Sequence, residues 1–200
     1  MSFEAFVHDL ECVVNATGLD QFALLGVSAG CAVSLAYATQ HPERVSRLVL
    51  YGGFARAAFR RGSREQAEQW EALATLMRHG WGQDNPAFRQ IFTSQFIPGG
   101  TPEQAQWFND LQRITTSPEN AVRMLRTVGN IDVTERLAEI RIPTLCRDDA
   151  RVPFEEGRKM AASIPKARFV ALEGRNHLVL EGEPASSRLL KEIRNFLDPS

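Results

Sequence analysis

A chain of 200 residues that is 44% apolar and 24% charged has the side chains to fill a core, which excludes wholesale disorder. Its 23 Lys and Arg against 24 Asp and Glu leave a net charge of -1, so no global electrostatic case exists for nucleic acid or an anionic membrane. No apolar run approaches the ~20 residues that span a bilayer, and Cys12, Cys31 and Cys146 have no CxxC spacing and an odd count, which argues against a zinc site or a disulfide framework.

The N-terminal MSFEAFVHDLE carries acids where a signal peptide needs basic residues, so a soluble cytoplasmic protein is expected. Phe3, Phe6, Val7, Leu10, Val13 and Val14 recur at helical spacing and predict an amphipathic helix over 3–16, broken by Gly18. Residues 21–25 (QFALL) predict a short buried strand, and Gly26 to Gly30 a glycine-bounded turn. A small-residue helix over 31–40 ends before His41-Pro42, and 45–51 (VSRLVLY) gives the next strand.

From 56 to 128 the pattern changes to helices over 64–79, 86–96, 102–114 and 118–128, with Pro86, Pro102 and Pro118 near helix starts. The segment holds Trp70, Trp81 and Trp107, with Phe59, Phe88, Phe92, Phe96 and Phe108. It reads as a helical cap insertion whose aromatics shape an apolar pocket. An ordinary helical layer with its aromatics packed inward is the alternative. Beyond Gly129, strands over 142–146 and 168–172 alternate with helices over 154–163 and 184–197. The expected fold is α/β: a mostly parallel sheet with helices on both faces. Residues 1–55 and 129–200 form the core and 56–128 the cap.

Gly26-Val27-Ser28-Ala29-Gly30 is a G-x-S-x-G sequence between a strand and a helix. A strand ending in so sharp a turn puts its serine in a strained conformation that only small neighbours tolerate. Gly26 and Gly30 are expected to remove the clashes, and the Ala29 N–H to point where an oxyanion forms. The plainer reading makes Ser28 the N-cap of the helix. A nucleophilic serine needs a base, and the base an orienting carboxylate. His177, in the loop after the last strand, suits the base, whereas His8, His41 and His79 follow no core strand. Asp148 and Asp149 follow the strand at 142–146 and offer the acid, or a turn cap.

LLGVSAGCAVSLAYATQHPERVSRLVLYGG, with IRIPT and RDDARVPFEEGRKMAASIPKARFVALEGRNHLVLEGEP, resembles the nucleophile, acid and histidine blocks of the α/β-hydrolase superfamily. The similarity is greatest to its serine-triad branch often found beside or fused to LuxR-type regulators or nucleotide cyclase domains. The resemblance implies Ser28 as nucleophile, His177 as base, Asp149 rather than Asp148 as acid, and Ala29 as an oxyanion donor. It implies no metal or organic cofactor.

Members of that superfamily usually carry about 70 further residues before the elbow, whose loop supplies the second oxyanion donor. The chain is therefore expected to be N-terminally truncated. Loss of one donor costs ~10²–10³ in rate. Strand 21–25 would then be an open edge, which predicts self-association through it. The strand before Asp149 is also about three residues short, roughly 10 Å of reach.

The expected function is hydrolysis of a small acyl ester or thioester by a serine hydrolase. Carbon–carbon hydrolases and cofactor-free haloperoxidases share that triad, while a serine at the elbow argues against enzymes with a carboxylate nucleophile there. No nucleic-acid or membrane partner is expected. A ligand-binding or regulatory module with vestigial catalysis remains open, as does a fragment that does not fold alone.

Overall fold

The apolar segments pair in chain order into one parallel sheet in the computed structural model, which describes residues 1–62, 64–147 and 152–198. The strands are β1 (Phe22–Val27), β2 (Val45–Tyr51), β3 (Thr144–Arg147) and β4 (Ala167–Val170). In register, Val27 faces Tyr51, Tyr51 faces Arg147, and Arg147 faces Val170. All four strands thus end at one level. Leu48, Leu50, Leu145 and Cys146 are wholly buried, as runs covered on both faces require.

Helix α1 (Phe3–Thr17) starts where the Ser2 hydroxyl accepts the Ala5 N–H and stops at Gly18, whose φ of 68° is left-handed. It buries Val7 and Val14 and turns Val13 to solvent. Helix α2 (Gly30–Gln40) joins β1 to β2 and is buried along Cys31, Ala32, Leu35, Ala36, Tyr37 and Ala38. Its small residues let α1 pack on one side of it while β1 packs on the other. Helix α8 (Phe154–Ser163) makes the crossover from β3 to β4, and α9 (Pro184–Leu197) closes the chain.

Between β2 and β3 run α3 (Ala58–Arg61), α4 (Arg64–Gly80), α5 (Pro86–Phe96), α6 (Pro102–Thr115), α7 (Pro118–Gly129) and a 3-10 helix over Thr134–Glu139. The starts of α5, α6 and α7 are fixed locally by Asn85, Thr101 and Ser117, whose side chains each accept a first-turn N–H, and each helix has Pro near its N-terminus. α3 and the 3-10 helix are additions to the expected elements, being too short to show a period. The two ends of the helical segment are clasped. Ala57 N–H donates to Ile131 O and Val133 N–H to Ala55 O, each at 2.8 Å, while Arg56 pairs with Asp132 at 3.1 Å. Partial burial works against ionisation of Asp132. Hydrogen bonds from Thr134 and the charges of Arg56 and Arg60 outweigh it and hold the carboxyl below its ordinary value. The contribution of this ion pair is therefore complete at neutral pH and is lost as the pH falls through that lowered value.

Three strands differ from expectation, β4 ending at Val170 rather than at residue 172. β1 continues through Gly26 and Val27, leaving only Ser28 and Ala29 in the turn. β3 begins after Pro143, which has no N–H for the ladder although its carbonyl accepts from Leu48 at 3.0 Å. No helix among the described residues is long and apolar enough to cross a membrane.

Among the described residues β1 is an edge strand, with Leu25 53% and Val27 39% exposed. The expected consequence is association through this edge. Light scattering over a concentration series should show a rising average mass for the unaltered chain and a flat, monomeric mass for Leu25→Lys. A monomeric mass for both would remove the expectation.

Candidate active site

The turn after β1 is tight because Gly26 lies directly against α2. A Cβ there would stand 2.8 Å from Cys31 Cα and from Gly30 O. Ser28 follows with φ 55°, one of two non-glycine residues in the left-handed region among those described. Such a conformation costs on the order of 1–3 kcal/mol and persists only where its surroundings dictate it. Here the Ser28 N–H donates to Tyr51 O at 2.9 Å and its carbonyl accepts from Cys31 N at 3.0 Å. The residue that caps α2 is Ala29, in helical conformation (φ −58°, ψ −26°) and with no side-chain bond to the helix. The N-cap reading of Ser28 is therefore corrected. The N-terminus of α2 thus carries no side-chain cap from its N-cap residue.

Gly30 also departs from expectation, since a Cβ on it meets nothing within 4 Å. The second clearance comes from Gly53, just after β2. A Cβ there would lie 2.2 Å from Cys31 Sγ and 3.3 Å from Ser28 O. Cys31, wholly buried, occupies that space, and its single S–H is shared between Gly26 O and Tyr51 O. Gly52-Gly53 is visible in the sequence, but its role depends on how closely α2 meets β2.

His177 lies in the loop between β4 and α9 and is 1% exposed. Its N–H donates to Phe96 O at 2.7 Å, its carbonyl accepts from the Tyr51 hydroxyl at 3.0 Å, and its ring lies 5.8 Å from that of Phe96. Tyr51 thus joins the two halves of the site through its carbonyl to the Ser28 turn and through its hydroxyl to the His177 loop. His8 and His41 lie elsewhere, on either side of Glu11, each 3.5 Å from that carboxylate, and His79 is exposed on α4. The expected acid, Asp149, lies with Asp148 outside the described residues, and β3 ends at Arg147, in register with Tyr51.

The aromatics of the helical segment mostly pack on one another. Trp81 stacks near Phe92 and Phe96 near Phe108, each pair at 5.4 Å, and the Trp81 N–H donates to Thr116 O. Trp107 is 57% exposed. A cavity of about 410 Å³ opens beneath α4, lined by Arg61, Gln66 and Gln95 as well as Trp70 and Leu73. It is more polar than the expected apolar pocket, because α3 and the start of α4 bring Arg and Gln to it, and it is lined by neither Ser28 nor His177. No group of three or more His, Cys, Asp or Glu side chains among the described residues is placed to hold a metal ion.

The family model described as alpha/beta hydrolase fold matches residues 1–184. The RutD protein of Klebsiella pneumoniae (strain 342), named for carbamate hydrolysis, is 26% identical over 187 residues, which cover 88% of this chain and 66% of RutD. The 2-hydroxy-6-oxo-6-phenylhexa-2,4-dienoate hydrolase of Burkholderia cepacia is 26% identical over 171 residues, covering 78% of this chain and 56% of that protein. The chain thus spans less than two thirds of the length of these curated relatives. Among solved structures, an esterase from Exiguobacterium antarcticum superposes with a TM-score of 0.82 at 21% identity, covering 98% of this chain and 74% of the esterase. At that identity the likeness is one of fold.

The clearances make different predictions for two glycines that flank the turn in space. Gly53→Ala should destabilise the protein by about 1–3 kcal/mol in urea unfolding, because a Cβ overlaps the Cys31 side chain. Gly30→Ala should stay within about 0.5 kcal/mol. Of the three thiols, Cys12 is exposed while Cys31 and Cys146 are buried, and burial pushes the Cys146 thiol up to about 12. A water-soluble disulfide reagent should therefore titrate Cys12 in the native protein and all three after unfolding.

Proposed function

Because the chain belongs to the alpha/beta hydrolase fold family, we propose that it is a serine hydrolase that cleaves a small acyl ester through an acyl-enzyme. The observation that carries this reading is Ser28 itself. It is held at φ 55° between a strand and an uncapped helix N-terminus, and Tyr51 ties its turn to the loop of a buried histidine.

In this reading Ser28 Oγ attacks the substrate carbonyl carbon and the His177 imidazole takes the Oγ proton. The carbonyl oxygen becomes an oxyanion, which the Ala29 N–H and the end of the α2 dipole stabilise. Collapse expels the alcohol or thiol, protonated by His177, and leaves an ester on Ser28. A water that gives its proton to His177 then attacks that ester and releases the acid. Asp149 would hold His177 in the tautomer that presents the accepting nitrogen to Ser28. The dry setting of His177, with Phe96 against its ring, suits it to a proton transfer from which bulk water is kept away. The carbamate of the RutD relatives' name fits the same scheme, since its carbonyl carries a heteroatom leaving group, whereas a 6-oxo-dienoate carries only carbon on its ketone and does not.

Labelling with a fluorophosphonate, followed by intact mass and peptide mapping, tests this. One adduct is expected, on Ser28, absent in Ser28→Ala and slowed roughly 10²-fold or more in His177→Ala. A folded protein that takes no adduct would overturn the proposal in favour of a ligand-binding module, whose ligand would then be sought in the cavity at Arg61 and Trp70.

A further inference from the structure

Asn176 precedes His177, is 5% exposed, and uses both ends of its amide. Its Oδ1 accepts the N–H of Gly99 at 2.7 Å, and its Nδ2 donates to Glu183 Oε1. The orientation follows from the partners, because a main-chain N–H can only donate and a carboxylate can only accept. Glu183, just before α9, also accepts the Leu180 N–H at 3.4 Å, which braces the far side of the loop. Gly99 lies in the turn from α5 to α6. The same turn begins at Phe96, whose carbonyl accepts from both His177 N and Leu178 N at 2.7 and 3.3 Å. Three main-chain N–H groups thus join 96–99 to 176–178. The fit is close, since a Cβ on Gly99 would stand 3.2 Å from Asn176 Oδ1.

We infer that Asn176 is a positioning residue: it fastens the His177 loop to the α5–α6 turn, so the seating of that turn sets where the His177 ring stands relative to Ser28. The inference rests on reading Ser28 and His177 as nucleophile and base. Asn176 itself touches neither substrate nor reacting atoms in this scheme. Its effect is to make a helical element far from β1 part of the base's mounting. A group that lifts the turn withdraws the base, and a substrate that seats the turn delivers it.

The experiment compares the unaltered chain with Asn176→Ala, Gly99→Ala and the double variant. Fluorophosphonate labelling of Ser28 is followed across pH, and amide exchange is followed at His177 and Leu178. Each single variant should slow labelling about tenfold and move its pH midpoint, because a misplacement near 1 Å already costs as much as ~10²-fold. In the double variant Gly99→Ala should add less than about twofold, the path through Asn176 being already cut. Exchange at His177 and Leu178 should rise in both single variants. Independent, multiplying effects, or labelling with the original rate and pH midpoint in Asn176→Ala, would overturn the inference and leave Asn176 a structural residue. If Asn176→Ala does not fold, Asn176→Asp with Glu183→Gln takes its place. That pair exchanges donor and acceptor, and should label within about threefold of the unaltered chain while Asn176→Asp alone labels slowly. Should the folded, unaltered chain not label at all, the serine reading fails by itself. The coupling is then decided by exchange, and unchanged protection of His177 and Leu178 in Gly99→Ala overturns it.

Discussion

The hydrogen bonds of Tyr51 are the constraint on which the rest of the site depends. Its carbonyl accepts the N–H of Ser28 and the thiol of Cys31, and its hydroxyl reaches the His177 carbonyl. A serine in the left-handed region relaxes unless its neighbours dictate otherwise. Here the dictation comes from β2, a central strand of the sheet, through its last residue. Tyr51 is itself held by register between Val27 and Arg147, so the strained turn is braced by the ladder of the sheet rather than by loops. The same tyrosine side chain extends this bracing to the histidine loop. The sheet therefore supplies the order that both halves of the site share.

Much of this organisation is legible in the residues. Apolar runs, prolines at helix starts and Gly18 place α1, β2 and α4 to α9 to within a few residues. G-x-S-x-G between a strand and a helix singles out Ser28, and a loop after the last strand singles out His177. Contacts between distant segments are what local pattern cannot show. Gly30 looks like the clearance of the turn because it is in the motif, yet Gly53 provides it, and only the approach of α2 to β2 reveals that. Tyr51 reads as an ordinary strand residue until its hydroxyl is seen to reach a loop 126 positions away. Asn176 reads as a neighbour of histidine, and its partners are Gly99, 77 positions away, and Glu183 at the far end of its own loop. The aromatics of the helical segment were expected to line a pocket, but spacing on a helix does not say which neighbour a ring meets. Most of them meet each other.

The helical segment emerges as two helix pairs with different attachments. α4 packs on α7 through Ala74, Val122 and Leu125, with Trp70, Leu73 and Met77 around them. α5 packs on α6 around Phe96, Phe108 and the buried Thr93, Asn109 and Gln112. The second pair is bonded to the histidine loop, while the cavity at Arg61 and Trp70 takes its lining from α4 and, through Gln95, from α5 as well.

The clasp at residues 55–57 and 131–133 has a consequence for how such a chain can change over time. The two ends of the helical segment meet in one short antiparallel bridge, and the α5–α6 turn makes a further attachment, to the histidine loop. The entropic cost of closing a loop grows slowly with its length, about 0.6 kcal/mol for each doubling. Helices away from the turn at 96–99 can therefore change in length at little cost to the strands beneath the junction. The strands can keep their register while the excursion between them changes length, and Arg56 and Asp132 mark where it leaves and rejoins them.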